Sequence, residues 1–61
     1  GELIGKTLKE IDLRRRVGCM VVAIARNGEL LLPDPNIKLE RGDILFVIGK
    51  EESLRKLDEL I

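Results

Sequence analysis

Apolar positions in this chain come in short clusters divided by charged and turn-forming residues, and their period changes along the sequence. Residues 1–4 read as the stub of a strand, broken off at Gly5. In Lys6-Thr7-Leu8-Lys9-Glu10-Ile11 the apolar Leu8 and Ile11 fall three apart with charges between them, which predicts a short helix lying on a core. Residues 12–18 read as the exit of that helix and a polar loop. Residues 19–25, Cys19-Met20-Val21-Val22-Ala23-Ile24-Ala25, are apolar throughout. Their β-branched members favour a strand, and unbroken apolarity implies that both its faces are covered. Asn27-Gly28 after Arg26 is a hairpin turn, because both positions tolerate positive φ, and Glu29-Leu30-Leu31-Leu32 returns as the second arm. Pro33-Asp34-Pro35-Asn36 stops it, since proline donates nothing to a ladder.

Ile37-Lys38-Leu39-Glu40 alternates like a short extended approach to the turn Arg41-Gly42-Asp43. Residues 44–48 form a second strand apolar on both faces, closed by Gly49. Residues 51–61 are an amphipathic helix, with Leu54, Leu57 and Leu60/Ile61 as its buried stripe and Glu51 and Glu52 at the positive end of its dipole. Two doubly apolar strands and about two helices do not balance. One sheet face, or an edge, is therefore expected to pack on a partner chain or a further domain.

Composition narrows the chemistry. Eleven basic and eleven acidic residues give zero formal charge, and one Phe is the only aromatic. Counterion release and base stacking are both unavailable, so nucleic acid is not an expected partner. No apolar run approaches the roughly 18 residues of a membrane span. One Cys and no His leave no zinc site, no intrachain disulfide and no His-activated nucleophile. A chain of this size buries only about 60% of its unfolded surface, so oligomerisation or docking onto a larger partner is the expected source of extra stability.

Few motifs carry chemistry by themselves. Gly5-Lys6-Thr7 has the ending of a phosphate-binding loop without its upstream glycine, and reads as a helix start. Asp43 beside Gly42 reads as a carboxylate that fixes a turn rather than a catalytic acid, since no second carboxylate or base is apparent near it. Arg14-Arg15-Arg16 is the one basic cluster, able as a set of guanidiniums to clamp a phosphate or carboxylate, or simply a solvated loop. Cys19 reads as a small buried hydrophobe, and Met20 and Phe46 as core or interface residues. Pro33 and Pro35 end a strand, and the stiff loop between them can also wall a shallow apolar pocket.

The joint pattern resembles the TrkA C-terminal, or RCK C-terminal, domain family. The matching residues are Leu3-Ile4-Gly5-Lys6-Thr7-Leu8, Val21-Val22-Ala23-Ile24 with Arg26 and Gly28, Pro33-Asp34-Pro35, and Leu39-Glu40-Arg41-Gly42-Asp43-Ile44-Leu45 with Val47-Ile48-Gly49. The resemblance covers nearly the whole chain and implies one α+β domain over residues 1–61, its first strand cut short. The implied fold is a small, mostly antiparallel sheet with a short N-terminal helix and a C-terminal amphipathic helix. It also implies a homodimer, cytoplasmic and peripheral to a membrane potassium channel or transporter subunit, that follows a Rossmann-like nucleotide-binding domain and catalyses nothing. In some relatives the dimer binds cyclic di-AMP at its two-fold axis. That resemblance points to Leu8, Arg14, Met20, Pro33 and Pro35 as ligand-binding residues, with Arg14 meeting the ligand and Leu8 and the Pro33–Pro35 loop forming an apolar wall. Met20 stands where those relatives place a polar Asn, so one hydrogen-bonding side chain is absent. Two functions follow as expectations: a ligand-sensing regulatory domain of a potassium transport system, and a passive assembly module of another transporter, antiporter or transcription regulator.

Overall fold

The computed structural model describes residues 3–60. Its elements are α1 (Leu8–Ile11), α2 (Leu13–Val17), β1 (Met20–Arg26), β2 (Glu29–Leu31), β3 (Ile44–Ile48) and α3 (Glu51–Leu60). The fold is the α+β class expected, with one antiparallel sheet in the order β2-β1-β3.

Helix α1 has only four residues, too few to nucleate on propensity, and its start is closed by side chains. The Thr7 hydroxyl accepts from the Glu10 N–H at 3.1 Å, and Glu10 Oε1 accepts from the Thr7 N–H at 2.8 Å. The Thr7 backbone bond holds the Glu10 carboxyl below its ordinary pKa. Asp12 then turns left-handed, with φ 49° and ψ 57°, and its N–H closes α1 on the Leu8 carbonyl at 2.9 Å. The Asp12 carbonyl accepts at once from Arg15 and Arg16, at 3.1 and 3.0 Å.

The polar loop expected over residues 12–18 is therefore a second helix, α2. Leu13 and Val17 lie four apart and give it a narrow apolar stripe, with Leu13 buried. Gly18 caps it at φ 79°, where a Cβ would come within 2.9 Å of Ser53 Oγ. The strand reading of residues 1–4 rests in part on residues 1 and 2, which lie outside the described residues; Leu3 and Ile4 are in a turn. Ile61, the expected end of the helix stripe, is also outside them.

The core is Leu3, Ile11, Leu13, Cys19, Ile24, Leu39 and Leu57, gathered on one side of the sheet. Cys19 ends up just ahead of β1 and is fully buried, as a small hydrophobe should be. Leu57 is the buried anchor of α3, while Leu54 stays partly exposed at its edge. The β1–β3 ladder pairs Met20 with Ile48 and Val21 with Val47, then shifts, so that Ala23 meets Phe46 and Ile24 meets Leu45. Val22 is the extra residue of a β-bulge.

Cover on both faces of β1 and β3 is not what the chain supplies. Val21, Ile24, Leu45 and Val47 face the helices, whereas Met20, Val22, Ile44, Phe46 and Ile48 are 43–59% exposed on the other side. The imbalance between apolar strands and available helices thus appears in the fold as a bare apolar sheet face.

Candidate functional site

A groove of about 400 Å³ lies where α1 and α2 meet the start of β1 and the loop after β2. All five residues expected from the family resemblance line it: Leu8, Arg14, Met20, Pro33 and Pro35. Backbone bonds hold its two banks together. The Leu8 N–H donates to the Ile37 carbonyl at 3.1 Å, and the Lys9 N–H to the Pro35 carbonyl at 2.9 Å. Within the proline loop, Asp34 Oδ1 accepts from the Asn36 N–H at 2.8 Å and the Asp34 carbonyl accepts from the Ile37 N–H at 3.1 Å. The wall is therefore preorganised.

Charge enters at one end of this apolar groove. Arg14, exposed on α2, has no ion-pair partner among the described residues. Lys9 and Asp12 also line the groove, and neither was singled out by sequence reasoning. The signal was available: Lys9 and Asp12 are about one helical turn apart and follow the expected Leu8 at its next position and one turn on. Two cations against one carboxylate leave this end net positive, which suits an anionic group beside an apolar body. Met20 supplies a thioether to the floor and belongs equally to the bare sheet face, so groove and face meet at this side chain.

Asp43, weighed above between catalyst and turn, does the structural work. Its Oδ2 accepts from the Glu40 N–H at 2.9 Å, fixing the turn into β3. The same carboxylate holds Arg26 through two bonds, Nε to Oδ1 at 2.9 Å and Nη2 to Oδ2 at 2.7 Å. Arg26 also reaches Glu40 at 3.0 Å and the Lys38 carbonyl at 2.9 Å. Sequence reading had no local signal for this clamp, because its partners are 17 residues apart. The Arg26 guanidinium, with help from the Glu40 N–H, brings the Asp43 carboxyl down to about 2, and Asp43 raises the pKa of Arg26. Among the described residues no helix is long and apolar enough to cross a membrane, and no His, Cys, Asp and Glu side chains gather as a metal site.

The whole chain, residues 1–61, matches the TrkA-C domain family. A probable potassium channel protein of Methanocaldococcus jannaschii is 34% identical over 61 residues, covering 98% of this chain and 18% of that protein. Among solved structures, the RCK C domain of the potassium transport protein KtrA, in complex with cyclic di-AMP, is 36% identical with a TM-score of 0.92, covering 98% of this chain and 72% of that one. The RCK_C domain dimer of S. agalactiae BusR in complex with cyclic di-AMP is 28% identical with a TM-score of 0.87, covering 97% of this chain and 79% of that one. BusR has also been solved with its promoter DNA, where this chain spans 29% of the protein. The expectation of no nucleic-acid partner therefore does not extend to every protein that carries this domain. The chain spans between 11% and 35% of the length of four curated relatives it matches. With that match over its full length and the same fold as the solved RCK C domains, the chain belongs to the TrkA-C, or RCK C-terminal, domain family.

Proposed function

We propose that this domain is the dimerising, ligand-sensing regulatory part of a potassium channel or potassium transport system, and that its ligand is cyclic di-AMP or an anionic molecule of like shape. The observation that carries the reading is the convergence of Leu8, Arg14, Met20, Pro33 and Pro35 on one preorganised groove with an unpaired guanidinium at its rim. KtrA, 36% identical, is solved with cyclic di-AMP, which supports the choice of ligand. Two copies associate through the bare sheet face of Met20, Val22, Ile44, Phe46 and Ile48, which brings two grooves together at Met20. A ligand that fits one dimer geometry better than another shifts the population toward it, and a linked membrane gate reads the change. In this reading the domain sits in the cytoplasm beside a membrane subunit, follows a Rossmann-like nucleotide-binding domain, has no cofactor and performs no catalysis.

Calorimetric titration of the full-length protein with cyclic di-AMP, with its mass measured in the same buffer, tests the proposal. Micromolar binding at one ligand per dimer is expected. A protein monomeric at high micromolar concentration removes the sensor reading, and a dimer that gives no heat removes cyclic di-AMP as the ligand, leaving a stable assembly module or a sensor of something else. Phe46→Lys, which puts a charge in the middle of the bare face, is expected to shift the protein to monomer and abolish that binding.

One observation favours the alternative of a passive assembly module. BusR, 28% identical, is solved in complex with promoter DNA, so the fold also occurs outside channels. Arg14→Ala leaving every ligand response of the intact protein unchanged would support it.

A further inference from the structure

Three charged side chains line the groove: Lys9, Asp12 and Arg14. Arg14 and Asp12 cancel, so the sign of the groove rests on Lys9. Its root is fixed. The Lys9 N–H is held by the Pro35 carbonyl at 2.9 Å, and α1 is closed ahead of it by the reciprocal bonds of Thr7 and Glu10. Helical residues two apart point to nearly opposite sides, so Lys9, two before the buried Ile11, leaves α1 away from the core. Its exposed stem therefore starts at the rim, with the ammonium able to swing over the groove.

Among the described residues nothing uses that charge. Lys9 makes no ion pair. Glu10, the adjacent acid, is taken by the Thr7 N–H at 2.8 Å, and the cations that act on it are Lys38 and Lys6. Asp12 lies three residues on, where an unbroken helix would bring a Lys and an Asp together. The left-handed turn at Asp12, φ 49° and ψ 57°, takes it out of that register, and its carboxylate pairs with neither Lys9 nor Arg14.

We infer that Lys9 is a ligand contact, the second cation of the groove, and that it sets the positive sign which draws in a phosphate-bearing ligand. This rests on reading the groove as a ligand site. The two cations divide the work by their chemistry. The planar fork of Arg14 suits paired hydrogen bonds to a phosphate, whereas the Lys9 ammonium, on its four-carbon stem, acts as a mobile point charge. Two grooves brought together carry two excess positive charges, the number that neutralises a ligand with two phosphodiesters. An uncharged molecule of the same shape gains nothing from Lys9.

Calorimetric and stopped-flow titration of the full-length protein with cyclic di-AMP tests this on the wild type, Lys9→Gln and Lys9→Arg. Lys9→Gln is expected to weaken binding about 10-fold at low salt, chiefly through slower association, since two exposed charges are lost per dimer. The gap should close toward 1 M salt, where the screening length is about 3 Å. A variant that had disturbed α1 would instead stay weak at every salt concentration. Lys9→Arg, which keeps the charge, should bind like the wild type. Inorganic pyrophosphate, followed through the Lys9 side-chain NMR signals, is a second probe independent of cyclic di-AMP. Equal binding by wild type and Lys9→Gln, a deficit that salt does not close, or one shared by Lys9→Arg overturns the inference and leaves the sensor reading standing. A wild type that ignores cyclic di-AMP while pyrophosphate shifts the Lys9 signals removes that ligand and sustains the role of Lys9. Silence toward both probes removes both.

Discussion

Arg26 reaches from the end of β1 into a set of acceptors, with Asp43, Glu40 and the Lys38 carbonyl all within 3.0 Å, whereas Arg14 projects from α2 with no ion-pair partner among the described residues. The difference follows from where each backbone is anchored. Arg26 lies on the central strand opposite the turn that Asp43 closes, so folding itself delivers its partners. Arg14 follows Leu13, whose burial together with the packing of Val17 turns the three arginines between them outward. One guanidinium is consumed in holding the domain together, and the other is left for something outside it. A large perturbation of stability is expected at the first and of binding at the second.

The largest effect is expected from Asp43→Ala. Its side chain is only 4% exposed, and its loss leaves the Glu40 N–H and the Arg26 guanidinium short of acceptors. Denaturant unfolding should show a loss of about 3 kcal/mol. The clamp also sets a pH limit. The Asp43 carboxyl sits at about 2 when folded against an ordinary 3.8, so its stabilisation is complete above the ordinary value and is lost as pH falls through about 2. Glu10, held low by the Thr7 N–H, acts with the same sign. Asp43→Asn should flatten most of that acid dependence, and an unchanged slope would assign it elsewhere.

Arg14→Ala comes next and should act on binding alone. Cyclic di-AMP affinity is expected to fall about 30-fold, the scale of one charge-assisted hydrogen bond, while unfolding free energy stays within about 0.5 kcal/mol. Equal losses in both would erase the contrast between the two arginines. The smallest effect is expected from Met20→Asn, which places a polar side chain in the groove. A gain of roughly 1 kcal/mol in binding, about five-fold, would show that a hydrogen-bonding group at this position reaches the ligand.

Much of this was legible in the sequence, for physical reasons that differ from part to part. Asn27-Gly28, Pro33-Asp34-Pro35 and Gly42-Asp43 punctuate the chain with local turn chemistry, and the strands and α3 follow between them. Thr7 and Glu10 form a cap within one helical turn, where sequence spacing and space coincide. The second helix was hidden because three consecutive arginines read as loop, although Leu13 and Val17 carried its stripe. The Arg26–Asp43 clamp was invisible because tertiary pairing leaves no periodic trace. The five groove residues came from family resemblance. They sit on α1, α2, β1 and the proline loop, and no spacing rule would bring them together.

The bulge at Val22 decides how this sheet can fail. In a regular strand Met20 and Ile24, four apart, would face the same side; the extra residue sends Met20 outward and Ile24 into the core. The two halves of β1 therefore carry opposite parity relative to β3. A slip by one residue turns Ile24 out to water, and a slip by two draws one half out of step with the bulge. No alternative pairing satisfies both halves together. A short strand apolar on every residue would otherwise slide freely or recruit its neighbours into fibres. Here a single insertion works like the ward of a lock, admitting one alignment and turning the others away.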